Sequence, residues 1–197
     1  MNGDVKPLRA GDPEQVGAYR FTGRLGQGGM GTVYLAESPD GERVAVKMIN
    51  FDLAHDQSFR GRFRREVEAA RRVRRFCTAP VLDAQIDHEP LYIVTQYVDG
   101  PTLYAFVRNS GPMHGSDLEY LAVGVATALS AIHGAGIVHR DLKPANVLLS
   151  AMGPRVIDFG IARALDAVTN ATDSGHLVDS GLHGARGHRG RTRHARL

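Results

Sequence analysis

Three short runs rich in β-branched and aromatic residues follow one another between Tyr19 and Ile49: "YRFTGRLGQG", "GTVYLAE" and "ERVAVKMI". A glycine cluster separates the first two and the turn signal "SPDGE" the second and third, a pattern that predicts an antiparallel meander. From Ser58 to Arg75 the period lengthens, with Phe59, Phe63, Val67, Ala70 and Val73 at three- and four-residue steps, and a helix is predicted. Strand character returns in "APVLDAQI" and "LYIVTQYV" on either side of the turn "DHEP", making five strands and one helix before Gly100. Beyond Gly100, Leu118, Leu121, Ala122, Val125, Ala128, Leu129 and Ile132 form one stripe of a second helix. Ser116 is its expected N-cap, Gly134 or Gly136 its expected end, and the width of the stripe predicts burial. "ANVLLS" and "PRVIDF" then read as a small two-stranded ribbon where the two halves meet. The order is that of an α+β protein with no internal repeat.

Composition sharpens this picture in three places. With 197 residues and 43% hydrophobic content the chain can bury a core as one domain or two small lobes. The formal charge of +3 belongs to the end of the chain: all 21 acidic residues precede Gly181 and five of the 24 basic ones follow it, so residues 1–180 carry net −2. Eight arginines lie between Ser58 and Arg75, yet Glu66 and Glu68 sit among them, and a solvated helix face is favoured over a nucleic-acid surface. A single cysteine, Cys77, excludes an intrachain disulfide framework and fits a reducing cytoplasm. Met1 to Gln15 is polar, broken by Pro7, Gly11 and Pro13, and does not read as a secretory signal. The longest apolar stretch, "LAVGVATALSAI", is too short to span a bilayer and is interrupted by Thr127 and Ser130. The expectation is a soluble, cytoplasmic chain without a membrane segment.

Three clusters carry chemistry. In "LGQGGMGTV", Gly26, Gly28 and Gly31 give G-x-G-x-x-G, a weak signal alone because it also serves dinucleotide folds. Here the glycines join two strands of a hairpin, so their N–H groups can fold over a triphosphate instead of opening a helix. In "VAVK", strand spacing puts Ala45 and Lys47 on one face, where Lys47 can neutralise phosphate oxygens while Val33 and Ala45 line an apolar slot for a purine. Taken alone, Lys47 is an ordinary surface lysine. "HRDLKPAN" and "IDFG" add Asp141, Lys143, Asn146 and Asp158, a set suited to phosphoryl transfer: a carboxylate for a hydroxyl proton, oxygen ligands for magnesium and a cation near the migrating group. Singly, Asp141 and Asp158 are turn acids and Asn146 a cap; their joint order with the glycines and Lys47 is what points to chemistry.

These motifs resemble the protein kinase family, and within it the bacterial serine/threonine kinases of eukaryotic type, from Tyr19 to Arg163. The resemblance implies a two-lobed protein kinase fold: a lead-in at 1–18, a complete N-lobe at 19–99 with a five-stranded antiparallel sheet and one helix, and a partial helical C-lobe at 100–178. It implies that Leu25, Gly26, Gly28, Gly31, Val33 and Ala45 contact ATP, that Lys47 holds its α- and β-phosphates, and that Glu66, with Glu68 the weaker candidate, pairs with Lys47 when the helix swings in. Thr95 would stand at the gate of the pocket, with Gln96 and Val98 supplying main-chain groups to adenine. His139, Arg140 and Asp141 match the catalytic loop, with Asp141 as base. Lys143 would touch the γ-phosphate of ATP, and Asn146 and Asp158 would bind Mg2+. The implied partner is a protein with a Ser or Thr acceptor. Arg140 suggests control by a phosphorylated activation segment, with Thr169, Thr172 and Ser174 as candidates.

The family's G-T-P-x-Y-M-A-P-E pattern is not found after "IDFG". Instead the chain closes on "GLHGARGHRGRTRHARL", where twelve of seventeen residues are Gly, Arg or His. Permitted codons for Asp179–His188, GAC TCC GGC CTA CAT GGC GCC CGA GGC CAC, read one base later give T-P-A-Y-M-A-P-E-A. Residues 179–197 are therefore expected to be an out-of-frame or disordered basic tail, following a frameshift near Val178; coding DNA over codons 176–197 decides it. Weak or no transfer activity is expected in consequence. The alternatives are a non-catalytic nucleotide-binding or interaction fragment and, less favoured, a nucleic-acid-binding module driven by the tail.

Overall fold

The computed structural model describes residues 5–73 and 77–159. The sequence expectations at Gly160, Arg163, Thr169, Thr172 and Ser174, and the whole of 179–197, lie outside the described residues.

Alternation of buried and exposed side chains builds the first half. Strands β1 (Gln15–Val16), β2 (Tyr19–Gly28), β3 (Gly31–Glu37), β4 (Arg43–Ile49), β5 (Val81–Gln85) and β6 (Tyr92–Gln96) form one antiparallel sheet in the order β1-β2-β3-β4-β6-β5. The sheet has six strands where five were expected. The extra one, β1, is two residues long, too short for alternation to betray it, and exists because Gln15 and Val16 pair with Arg20 and Tyr19 along the open edge of β2.

The outward face of this sheet packs Phe21, Tyr34, Val44, Val46 and Val94 with Val16 from β1, and the Phe21 and Tyr34 rings stack at 4.3 Å. Against the inward face lies α2 (Gln57–Ala70), preceded by the short α1 (Phe51–His55). Asp56 caps α2, its Oδ1 accepting from the N–H groups of Ser58 at 2.7 Å and Phe59 at 3.1 Å. Phe59, Phe63 and Val67 are fully buried with Ile49, Leu91 and Ile93, as the helical period predicts. The helix ends at Ala70, short of the expected Arg75, and Val73 follows in a turn. Its arginines also find partners beyond the helix: Arg64 pairs with Asp87 of the β5–β6 turn, and Arg60 donates to the Asp87 carbonyl.

The second half holds α3 (Leu103–Ser110), α4 (Gly115–Gly134) and the ribbon β7 (Val147–Ser150) with β8 (Gly153–Val156), paired antiparallel as expected. Helix α4 begins one residue before Ser116, with His114 at the N-cap and no side-chain cap bond. Gly124 lets α4 approach the ribbon, because a Cβ there would lie 2.2 Å from Pro154 Cγ. Only part of the predicted stripe is covered: Ala128 and Ile132 are buried, Leu121, Val125 and Leu129 half-buried, Ala122 exposed and Leu118 50% exposed. Ala128 and Ile132 share a core with Val147, Val156, Phe159, Ala70 at the end of α2 and Val73 in the turn after it, so one core joins the halves. Cys77 is a small buried member of it. No helix among the described residues is long and apolar enough to cross a membrane.

Candidate active site

The glycine hairpin forms the roof of the site. Gly28 and Gly31 face each other where β2 turns into β3, and Gly31 adopts φ 147° with its hypothetical Cβ only 1.8 Å from Met48 O, so no side chain fits. Gly26 and Gly28 face open space within 4 Å. Below them the pairs Val33↔Lys47, Leu35↔Ala45 and Ala45↔Thr95 put Val33, Ala45, Lys47 and Thr95 on one face of the sheet. Leu25, at the bulge between Arg24 and Gly26 where β2 shifts register, is half-buried. At the far end of β6 the Gln96 N–H donates to Pro80 O at 3.1 Å, so the main-chain group Gln96 has to offer a ligand is its carbonyl; Val98 is half-buried two residues on.

The floor comes from the loops flanking the ribbon. His139, 2% exposed, places Nε2 3.1 Å from Ile157 O, and Ile157 N–H donates to Asn146 O at 3.0 Å. These bonds tie the segment carrying Asp141 to the segment carrying Asp158. Both segments hold a non-glycine residue at positive φ, Arg140 at 64° and Asp158 at 57°, a conformation maintained only when the surroundings over-determine it. Asp141 Oδ2 accepts from Lys143 Nζ at 2.7 Å and from Asn146 Nδ2 at 3.2 Å, and Asn146 Nδ2 also reaches Asp141 O at 2.8 Å. Roof and floor meet in one ion pair, Lys47 Nζ to Asp158 Oδ1 at 3.3 Å.

A model of the protein kinase domain matches residues 19–177. The chain belongs to the protein kinase family. It is 51% identical over 174 residues to the probable serine/threonine-protein kinase PkwA of Thermomonospora curvata, covering 88% of this chain and 23% of that protein. It is 54% identical over 158 residues to the serine/threonine-protein kinase AfsK of Streptomyces coelicolor, covering 80% and 20%. The chain thus spans under a quarter of the length of these curated relatives. The crystal structure of the Mycobacterium tuberculosis PknI kinase domain superposes with TM-score 0.63 and 36% identity over 74% of this chain and 59% of that one.

Within the kinase frame, the electrostatics of the two acids differ. The hydrogen bond from Lys143 holds the Asp141 carboxyl below its ordinary value, reinforced by the Lys143 charge and the Asn146 amide and opposed by partial desolvation. Asp158 faces Lys47 instead. Glu66 is half-buried on α2 and Glu68 exposed; among the described residues Lys47 forms its ion pair with Asp158 and none with Glu66. The residues suit a nucleotide with Mg2+. Asn146 uses its amide nitrogen on Asp141, so it presents the side-chain oxygen, and Asp158 adds a carboxylate. Mg2+ takes one or two protein oxygens and completes its shell with phosphate and water, so these two side-chain oxygens suit it in kind.

Sequence reasoning missed Arg24. It is buried, bonded to Gln27 and Thr32 of the glycine hairpin, and no local signal marks it because its ion-pair partner, Asp12, lies in the polar lead-in.

Proposed function

We propose that this chain binds ATP with Mg2+ between the glycine hairpin and the ribbon loops, and that the site is built to transfer the γ-phosphoryl group to a Ser or Thr hydroxyl of a protein. The observation that carries this reading is the Lys47–Asp158 ion pair at 3.3 Å, which brings the phosphate-binding strand and the catalytic floor into one cleft. Val33, Ala45 and Thr95 supply the apolar wall for adenine, and the hairpin N–H groups and Lys47 take the phosphates. Mg2+, held by the Asp158 and Asn146 oxygens when bound, would supply positive charge against the phosphate oxygens. Asp141 uses Oδ2 on Lys143 and Asn146, which leaves Oδ1 to orient the acceptor hydroxyl and take its proton as the oxygen attacks phosphorus and the bond to ADP breaks. Lys143, paired with that carboxylate, would meet charge on the migrating group.

Transfer of radiolabelled phosphate from ATP to a generic basic protein tests this. The Asp141→Asn chain should lose roughly 10²- to 10⁴-fold in rate while still binding nucleotide. A second reading, nucleotide binding without transfer, is favoured by one feature of α4: Leu118 is 50% exposed, and with Leu121, Val125, Leu142 and Pro144 it borders an open apolar groove beside the catalytic loop. A loop so backed is less firmly positioned, and thermal stabilisation by MgATP without label transfer would decide for that reading.

A further inference from the structure

The segment 5–16 has no part in the chemistry above, yet it is docked on the sheet. Lys6 N–H donates to Arg24 O at 2.9 Å and Arg24 N–H returns a bond to Lys6 O at 2.8 Å, while Gln15 and Val16 pair further along the same edge of β2. Between these points Leu8 packs on the outward core. The chain then turns, Asp12 N–H donating to Arg9 O at 3.0 Å and Arg9 N–H to Asp12 Oδ2 at 2.7 Å. That turn sets the Asp12 carboxylate 3.0 Å from Arg24 Nη1, and Tyr34 Oη donates to Oδ1 at 2.9 Å. Both side chains of the Asp12–Arg24 pair are 9% exposed, whereas Arg20 and Glu37 nearby pair at the surface. A buried pair of this kind is held in one geometry, since removing one partner strands the other's charge.

The guanidinium has a second half. Arg24 Nη2 donates to Gln27 Oε1 at 3.1 Å and lies 3.4 Å from Thr32 Oγ1, and Gln27 and Thr32 oppose each other across the glycine hairpin. One planar group therefore links the segment to both strands of the hairpin, which the point charge of a lysine does not reproduce. Gly23 records the same docking: a Cβ there would lie 2.5 Å from Val5 Cγ1 and 3.0 Å from Lys6 O.

We infer that residues 5–16 are a strap that holds the glycine hairpin over the site, with Arg24 as a positioning residue whose pairing with Asp12 sets how ordered the hairpin is before nucleotide arrives. The inference rests on the nucleotide-binding role proposed for the hairpin. Glycine-rich backbone loses the most conformational freedom on ordering, and restraint that precedes binding removes that cost from the binding step. The tip has its own tether, Asn50, whose N–H donates to Met30 O at 2.9 Å and whose Nδ2 donates to Gly29 O at 2.8 Å; the strap supplies the restraint at the base.

Amide hydrogen exchange on the full chain without nucleotide, paired with calorimetric titration by MgATP, tests it in Asp12→Asn and in Gly23→Ala, which crowds the strap without removing a charge. Amides of residues 25–32 should exchange roughly tenfold faster in both variants while β4 stays protected, and the MgATP dissociation constant should rise about three- to tenfold. Unchanged exchange at 25–32 in Asp12→Asn overturns the inference, as does an equal rise through β4 and β6, which would make the pair a general stability contact. Variants that bind MgATP as tightly as the parent overturn the link to affinity. A parent that gives no heat with MgATP counts against the nucleotide-binding reading, and the exchange data then decide the strap by themselves.

Discussion

At the scale of single residues, two glycines with the same motif role have different physical duties. Gly31 is demanded by the fold, since any side chain meets the Met48 carbonyl, so Gly31→Ala should cost at least about 1 kcal/mol in denaturant unfolding. Gly28 faces open space, and Gly28→Ala should leave unfolding unchanged within about 0.5 kcal/mol while weakening MgATP binding by titration. Asp141 offers a pH test. Its carboxyl is held below the ordinary 3.8, chiefly by the Lys143 hydrogen bond, so it stays ionised as pH falls to that value and protonates only further down. A carboxyl-carbon NMR titration should find its midpoint below 3.8, moving upward in Lys143→Met. The motif residues were all legible in the sequence as types and spacings. Their pairing was not: nothing in "HRDLKPAN" shows that Lys143 and Asn146 both converge on one oxygen of Asp141, because that depends on the turn at Arg140.

Among the elements, α2 was the most legible, because Phe59, Phe63 and Val67 sit on a strict helical stripe and all three are fully buried. Phe63→Ala should cost about 3–5 kcal/mol in denaturant unfolding, the range for truncating an aromatic in a packed core. Helix α4 was legible as a helix but not in its burial. Its stripe is real, yet only Ala128 and Ile132 reach the core, since β8 and the α2 end contact one portion of it. Ile132→Ala should therefore cost about 2–5 kcal/mol, and Leu118→Ser should stay within roughly 0.5 kcal/mol, both by the same measurement. A stripe in sequence states which face is apolar, not how much of it has something to pack against. Strand β1 marks the opposite limit: two residues carry no periodicity, and the edge of β2 recruits them through main-chain pairing while Val16 is buried in the outward core.

For the whole molecule, the decisive feature is that one sheet serves two masters. Its inward face carries Val33, Ala45, Lys47 and Thr95 to the site, and its outward face is sealed by Leu8 and Val16 of the strap. Order along the chain was enough to establish the family, the meander, the ribbon and which side chains match the family's motifs, because strand and helix periods and motif spacing are local properties. Contacts between distant segments were decided only in three dimensions. They include Lys47 against Asp158 across 111 residues, and His139 locked to Ile157. The buried Asp12–Arg24 pair belongs with them. The physical reason is that burial and charge pairing depend on what the fold brings alongside a residue. A polar lead-in cannot announce that an arginine at the base of the glycine hairpin pairs with its Asp12.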